Sequence, residues 1–272
     1  MGADIKSLRT RIKSVSSTLQ LTKAMGLVAS SKIRKAQLVR TRAQEYSDSL
    51  SSIVDVLTSS RECAKSPYLK MGEGVSEIVV IAGDRGLAGG YNANIFRFLR
   101  EMEDINITPV GKKSCERYSK EVISSERFSH SDALLMANRL CNDFKEGKCA
   151  RVGVVYTRYV SMISQVPDIK WILPLEKKEE EEKKGGAVAI FEPDEASMLE
   201  KSVPLYVAGL IYACVKESFA CEVVARRSAM DSAGKNATAM IDELMLKYNR
   251  ARQGTITQEI TEIVAGSGEG EE

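Results

Sequence analysis

Between Ile5 and Leu57 the chain repeats a three-then-four spacing without a proline: Ile5, Leu8, Ile12, Val15, Leu19, Thr22, Gly26, Ala29, Ile33, Ala36, Arg40, Ala43, Ser47, Leu50, Val54 and Leu57. A repeat sustained over about seven heptads predicts a helix wound on a partner helix rather than lying on a globular core. At 1.5 Å per residue that helix would be roughly 80 Å long. Helical spacing returns from Leu205 to Val264, along Val223, Met230, Ala233, Ala237, Ile241, Leu244, Tyr248, Ala251, Ile256, Ile260 and Ile263. The rhythm slips by one residue between Ala251 and Ile256, a local stutter. Gly234 and Gly254 each weaken this helix by about 1 kcal/mol relative to alanine. The first helix is its natural partner, brought back antiparallel. Thr22, Gly26, Ala29, Ala36 and Ala43 would let the two backbones come close.

The middle of the chain carries a different pattern. The first helix should fade near Ser59–Pro67, at Ser-Ser and then Ser-Pro. Ser76–Ala82 is a short β-branched run and predicts a buried strand, followed by the Gly-rich turn GDRGLAGGYN and a helix over Asn92–Glu103. Further strands are expected at Ile107–Val110, Glu121–Ser124, Arg151–Tyr156, Met162–Leu175 and Ala187–Phe191, with helices at Lys112–Lys120 and Ser131–Lys145. The charge run Glu176–Lys184 reads as a solvated loop. A short helix should start at Pro193-Asp194, and Pro204 suits the first turn of a new one. Alternating strands and helices predict a parallel or mixed sheet. The fold class is therefore α/β: a central Rossmann-like domain over 74–203, with a long antiparallel coiled coil from an N-terminal helix (1–60) and a C-terminal one (204–266). Residues 267–272 are expected to form a flexible acidic tail.

Charge sharpens this picture. The 272 residues carry a formal net charge of only +2. Yet residues 1–42 hold ten lysines and arginines against Asp4 alone, a local +9. Such an arm wants an acidic partner, whether nucleic acid, a lipid surface or an acidic protein loop. A basic coiled coil that binds nucleic acid, or serves as a scaffold, is the alternative function; the continuous apolar seam and the lack of interleaved aromatics weigh against it. There is no run of 18 or more apolar residues, so no helical membrane span is expected. The N-terminus lacks the apolar core of a secretory signal, and a cytoplasmic chain is expected. Cys63, Cys115, Cys141, Cys149, Cys214 and Cys221 form no C-x-x-C pair, and His130 is the sole histidine. That pattern argues against zinc and disulfide frameworks.

The Gly-rich turn sits where phosphate-binding loops sit, after a strand and before a helix. It lacks the Lys-Ser/Thr of a Walker A loop and does not fit G-x-G-x-x-G. Gly86, Gly89 and Gly90, flanking Leu87, read instead as residues for a tight turn and close helix–strand packing. No catalytic constellation is visible, no cofactor or metal site is expected, and His130 reads as a surface residue in SHSD, where Ser or Asp can cap a helix.

RIKSVSSTLQLTKAMGLVASSKIRKAQ (11–37), GDRGLAGGYNANI (83–95), SQVPDIKWILPL (164–175), FEPDE (191–195) and KYNRARQGTITQEITEIVAG (247–266) together resemble the gamma subunits of F-type ATP synthases of bacterial type. The resemblance runs in order over essentially the whole chain. It implies a rotor shaft that penetrates a ring of alpha and beta subunits, with the α/β domain as a foot meeting the epsilon subunit and the membrane ring of c subunits. The chain would sit peripherally on the cytoplasmic side of the cell membrane, bind no nucleic acid and have no active site of its own. By the same matching, Lys23, Met25, Lys32, Arg34 and Lys35 correspond to the stretch facing acidic loops of beta, and Arg252, Gln253, Thr257 and Glu259 to its polar grip on beta. Gly86, Leu87, Gly89 and Gly90 belong to the foot. Ala88 stands where the family commonly has cysteine, Ser232 where asparagine is usual, and GSGEGEE (266–272) replaces a small apolar tail.

Overall fold

A computed structural model describes residues 2–176 and 191–268, with side chains for 4–176 and 191–264. The expected strand Ala187–Phe191 and most of the charge run lie outside the described residues; Phe191 itself is not in a strand. Helix α1 covers Gly2–Ser59 and α5 covers Glu195–Gly268. The chain divides into two compact units, one of residues 1–29 with 227–272 and the other of residues 30–226.

In the first unit the two helices run antiparallel. Gly26 faces Met230, while Gly234 faces Leu19 and Thr22. Arg11 and Glu243 interact further along. The seam read from the sequence is the buried one: Thr22, Gly26, Ala29, Met230 and Ala237 are buried, and Ile241, Leu244, Tyr248 and Ala251 are half-buried. The predicted stutter does not carry the pairing onward. Thr255, four residues after Ala251, keeps the half-buried line, whereas Ile256, Ile260, Ile263 and Val264 are exposed. The register is that of an antiparallel pair, in which each step along α5 meets an earlier residue of α1.

The second unit is built on a four-stranded sheet, β1 (Ser76–Ile81), β2 (Ile105–Val110), β3 (Val152–Tyr159) and β4 (Gln165–Leu173), in the order β2-β1-β3-β4. β1 pairs in parallel with β2 and β3, and β4 is antiparallel to β3. Alternate residues of β1 serve two cores. Ile78 and Val80 face α2 (Tyr91–Leu99) through Tyr91, Ile95 and Leu99. Val79 and Ile81 face α4 (His130–Lys145), Val54 and Leu57 of α1, and Leu199–Val215 of α5. The N-terminus of α4 is a capping box, in which Ser129 and Asp132 satisfy each other's backbone N–H.

Three sequence expectations are corrected. Glu121–Ser124 forms no strand, because its polar groups turn inward: Ile123 donates to Cys115 Sγ, and Ser124 and Ser125 donate to Asp84. No new helix begins at Pro204, so the boundary expected there is absent. Asp194 caps α5 through Ser197, and the helix continues through the proline. An interior proline costs about 3 kcal/mol, but Leu199, Val203, Val207 and Leu210 on either side are fully or almost fully buried, which offsets it. Finally, His130 is half-buried, edge-on to Tyr46 of α1 at 5.5 Å and Tyr212 of α5 at 5.9 Å.

Candidate functional site

Lys23 and Met25 lie on α1 in the first unit, Lys23 exposed and Met25 half-buried. Beside Lys23 is a groove of about 400 Å³, lined by Gly26, Leu27, Arg227, Met230, Asp231, Gly234 and Lys235 among others. It opens where Gly26 and Gly234 offer no side chains. Arg227 crosses it, donating to the Gly26 carbonyl at 3.4 Å and approaching Asp231 at 3.7 Å. Arg252, Gln253, Thr257 and Glu259 are all exposed on α5, and the Thr257 hydroxyl donates to the Gln253 carbonyl at 2.9 Å. These side chains present polar groups outward from α5 around the point where its half-buried line ends at Thr255.

Lys32, Arg34 and Lys35 belong to the second unit. Arg34 and Lys35 are exposed. Lys32 is half-buried and bonded within its own chain, to Glu126 at 2.5 Å. The structure thus divides the basic stretch into outward-facing cations and one committed internally.

The Gly-rich turn proves to be the most elaborately held part of the sheet. It follows β1 at the point where strand order reverses between β1 and β3, the crevice in which such sheets bind ligands beyond the carboxyl ends of their strands. Here the crevice is filled by the chain itself. Glu222 of α5, only 2% exposed, accepts the backbone N–H groups of Asp84 and Arg85, each at 3.3 Å. Arg226, one helical turn later, bridges Glu222 at 2.5 Å and donates to the carbonyls of Arg85 and Gly86 at 3.3 Å. An anion therefore already occupies the turn's N–H groups.

Asp84 ties the same turn to the other side. It accepts the N–H groups of Lys112, Ser125 and Glu126 and the hydroxyl of Ser124 at 2.7–3.0 Å. Burial by itself would raise its pKa; the donors from Glu126, Ser124, Lys112 and Ser125 outweigh that and hold it below the ordinary carboxylate value. Gly83 donates to Asn92 at 2.9 Å. One turn earlier on α5, Ser218 accepts the Thr157 N–H and Glu217 accepts the Tyr159 N–H, each at 2.9 Å.

The glycines expected to serve close packing are not the ones that do. Gly86 has open space where a Cβ would stand, and Gly90 has only Asn94 nearby. Gly83 is the close-approach residue, since a Cβ there would lie 2.8 Å from Glu222 Cδ. Gly89 does take a left-handed conformation, at φ +59°, but so does Leu87, at +60° and 62% exposed. Glu222 and Arg226 were missed at the sequence level, although a signal existed. An acid stands alone in the apolar run FACEVVA, with an arginine four residues on.

Comparison with known proteins fits this geometry. A family model described as ATP synthase matches residues 4–268. The ATP synthase gamma chain of Ruminococcus albus is 37% identical, the alignment covering 97% of this chain and 98% of that one. The gamma chain of Clostridium perfringens is 36% identical, with 98% of each covered. In the structure of the Euglena gracilis mitochondrial ATP synthase in rotational state 3, one chain superposes with a TM-score of 0.69 at 20% identity, covering 98% of this chain and 95% of that one, so the fold is shared.

Proposed function

This chain belongs to the family of ATP synthase gamma chains, and from that membership we propose that it is the central rotor shaft of an F-type ATP synthase. In this role it couples ion flow through a membrane ring of c subunits to ATP synthesis and hydrolysis at catalytic beta subunits. The antiparallel pair formed by residues 1–29 and 227–268 is the shaft within the alpha and beta ring. Residues 30–226 are the foot, which meets the epsilon subunit and the c ring. Among the described residues no helix is long and apolar enough to cross a membrane; attachment would be peripheral, on the cytoplasmic face.

The mechanism is mechanical. A shaft can shift the beta subunits among their nucleotide affinities only if it interacts with their conformations unequally. Lys23, Met25, Arg34 and Lys35, with Lys32 nearby, would meet acidic loops of beta. Arg252, Gln253, Thr257 and Glu259 would grip a beta subunit further along α5. Chemistry stays in beta, and this chain has no active site of its own. Occupation of the turn's N–H groups by Glu222 supports that reading, because a nucleotide phosphate would need those donors.

The observation carrying the proposal is the match to gamma chains over nearly all of both sequences. Purification through a tag on this chain is expected to bring down alpha and beta subunits. Deleting the chain is expected to abolish ATP-driven ion pumping; full coupling without it would refute the reading. The nucleic-acid alternative predicts a salt-dependent shift of duplex probes, and none is expected.

A further inference from the structure

The geometry at the carboxyl ends of β1 and β3 points to an anion site that the chain fills with its own carboxylate, and we propose that Glu222, as its permanent occupant, positions the Gly83–Gly86 turn against α5. The donors are those of a phosphate nest: two successive backbone N–H groups, from Asp84 and Arg85, and one guanidinium, from Arg226. They converge on the crevice where the strand order reverses, the place at which a sheet of this topology takes a ligand. Yet the anion arrives on a helix rather than from solution.

Several features show that the pocket is shaped to that carboxylate. Gly83 has no Cβ, and any side chain there would strike Glu222 Cδ at 2.8 Å. Arg226 does not merely neutralise the acid; it also donates to the Arg85 and Gly86 carbonyls, so the ion pair satisfies the turn's backbone in both senses. Tyr91, buried beside it, has its pKa raised by burial and then by the charge on Glu222. Its hydroxyl donates to the Ser218 carbonyl at 2.9 Å, one helical turn before Glu222.

The consequence is a mechanical one. The turn is fixed to the 123–126 segment through Asp84, and Glu126 of that segment pairs with Lys32 of α1, a partly exposed contact that adds only a weak hold. Glu222 closes the circuit to α5. A buried ion pair contributes little net stability but costs much when one partner is lost. That suits a joint which must not slip. If the chain is the rotor shaft proposed above, this joint adds a polar tie between the Gly83–Gly86 turn and the part of α5 whose apolar side is already packed in the core of the sheet.

Two measurements test the inference. In the full chain, Glu222→Ala is expected to lower the melting temperature, and sodium formate should restore it more than sodium chloride at equal ionic strength. Wild type should show no such preference for formate. Equal effects of formate and chloride on Glu222→Ala would overturn the anion site. In the assembled complex in vesicles, a potential-sensitive dye reads charge moved per ATP hydrolysed, whichever ion is carried. Glu222→Gln, or Gly83→Ala with both charges kept, should lower that ratio below the wild-type value. The rate of ATP hydrolysis and the subunit stoichiometry should stay near wild type. An unchanged ratio in both variants would overturn the positioning role. Failure of the wild-type chain to assemble with alpha and beta would instead refute the rotor reading and leave the formate test standing.

Discussion

Lys32 Nζ stands 2.5 Å from Glu126 Oε1, and Arg85 approaches the other oxygen of the same carboxylate at 3.9 Å. The lysine and glutamate side chains are 39% and 34% exposed, so solvent screening limits the pair to about 1 kcal/mol or less. Lys32→Ala should therefore barely move a urea unfolding midpoint. It should also cost less ATP turnover in the assembled complex than Lys35→Ala, because Lys35 faces outward while Lys32 is engaged at home. Equal losses in ATPase assays of the two variants would return Lys32 to the partner surface.

Gly111 stands at the start of α3 (Lys112–Arg117) with φ +92°, and a Cβ there would lie 1.9 Å from the Ala82 carbonyl oxygen. That carbonyl belongs to backbone, which has no rotamer to escape into. Gly111→Ala should destabilise the chain by about 3 kcal/mol or more, combining left-handed strain with overpacking. Gly147, at φ +72°, has open space around it. Its alanine variant should lose only about 1 kcal/mol, from conformation alone. Denaturant unfolding of both variants checks the contrast, and similar losses would show that the close approach is not what matters.

The long-range architecture was legible because it rests on periodicity. Heptad positions Thr22, Ala29, Ala36 and Ala43 are buried, as their spacing required, whereas Val54 and Leu57, expected on a partner helix, are buried in the core of the sheet. β1 was visible as a β-branched run, and its two-faced burial follows from parallel pairing on both sides. What escaped has no period. Ser124 and Ser125 lie in a stretch that looks strand-like, yet they are held by a single aspartate forty residues earlier. Pro204 reads locally as a beginning, and only the burial of Leu199 and Val203 before it reveals a middle. The joint at Glu222 needs three segments brought together, which spacing along one of them cannot show.

Arg252 and Gln253 are exposed on α5, and so are Ile260 and Ile263, at 55% and 71%. None of them holds the described fold together, so Arg252→Ala, Gln253→Ala and Ile260→Ala should each change stability by about 0.5 kcal/mol or less. If they meet the alpha and beta ring, the same changes should lower ATP turnover of the complex by about threefold to tenfold, roughly 1 kcal/mol in the barrier. Unfolding curves and ATPase rates measured on the same preparations separate the two effects. Wild-type turnover in all three variants would remove this end of α5 from the gripping surface.

Burial pushes the Cys141, Cys214 and Cys221 thiols up to about 12 and Cys149 up to about 11, from an ordinary value of 9.0. Between 9.0 and those values the folded chain keeps protons that the unfolded chain has already released. With more protons bound in the native state, stability must fall as pH rises. The contribution is complete below pH 9.0 and disappears progressively as pH climbs towards about 12. A variant with Cys141, Cys214 and Cys221 replaced by alanine lacks most of that titration. Its melting temperature should decline less steeply above pH 9.0 than that of wild type, although it starts lower because the cavities cost packing. The thiolate is the reactive form, so alkylation of native protein below pH 9.0 should be slow at all four positions and become fast on unfolding. Parallel melting curves, or rapid labelling of the folded chain, would mean that these thiols are not held protonated by the core.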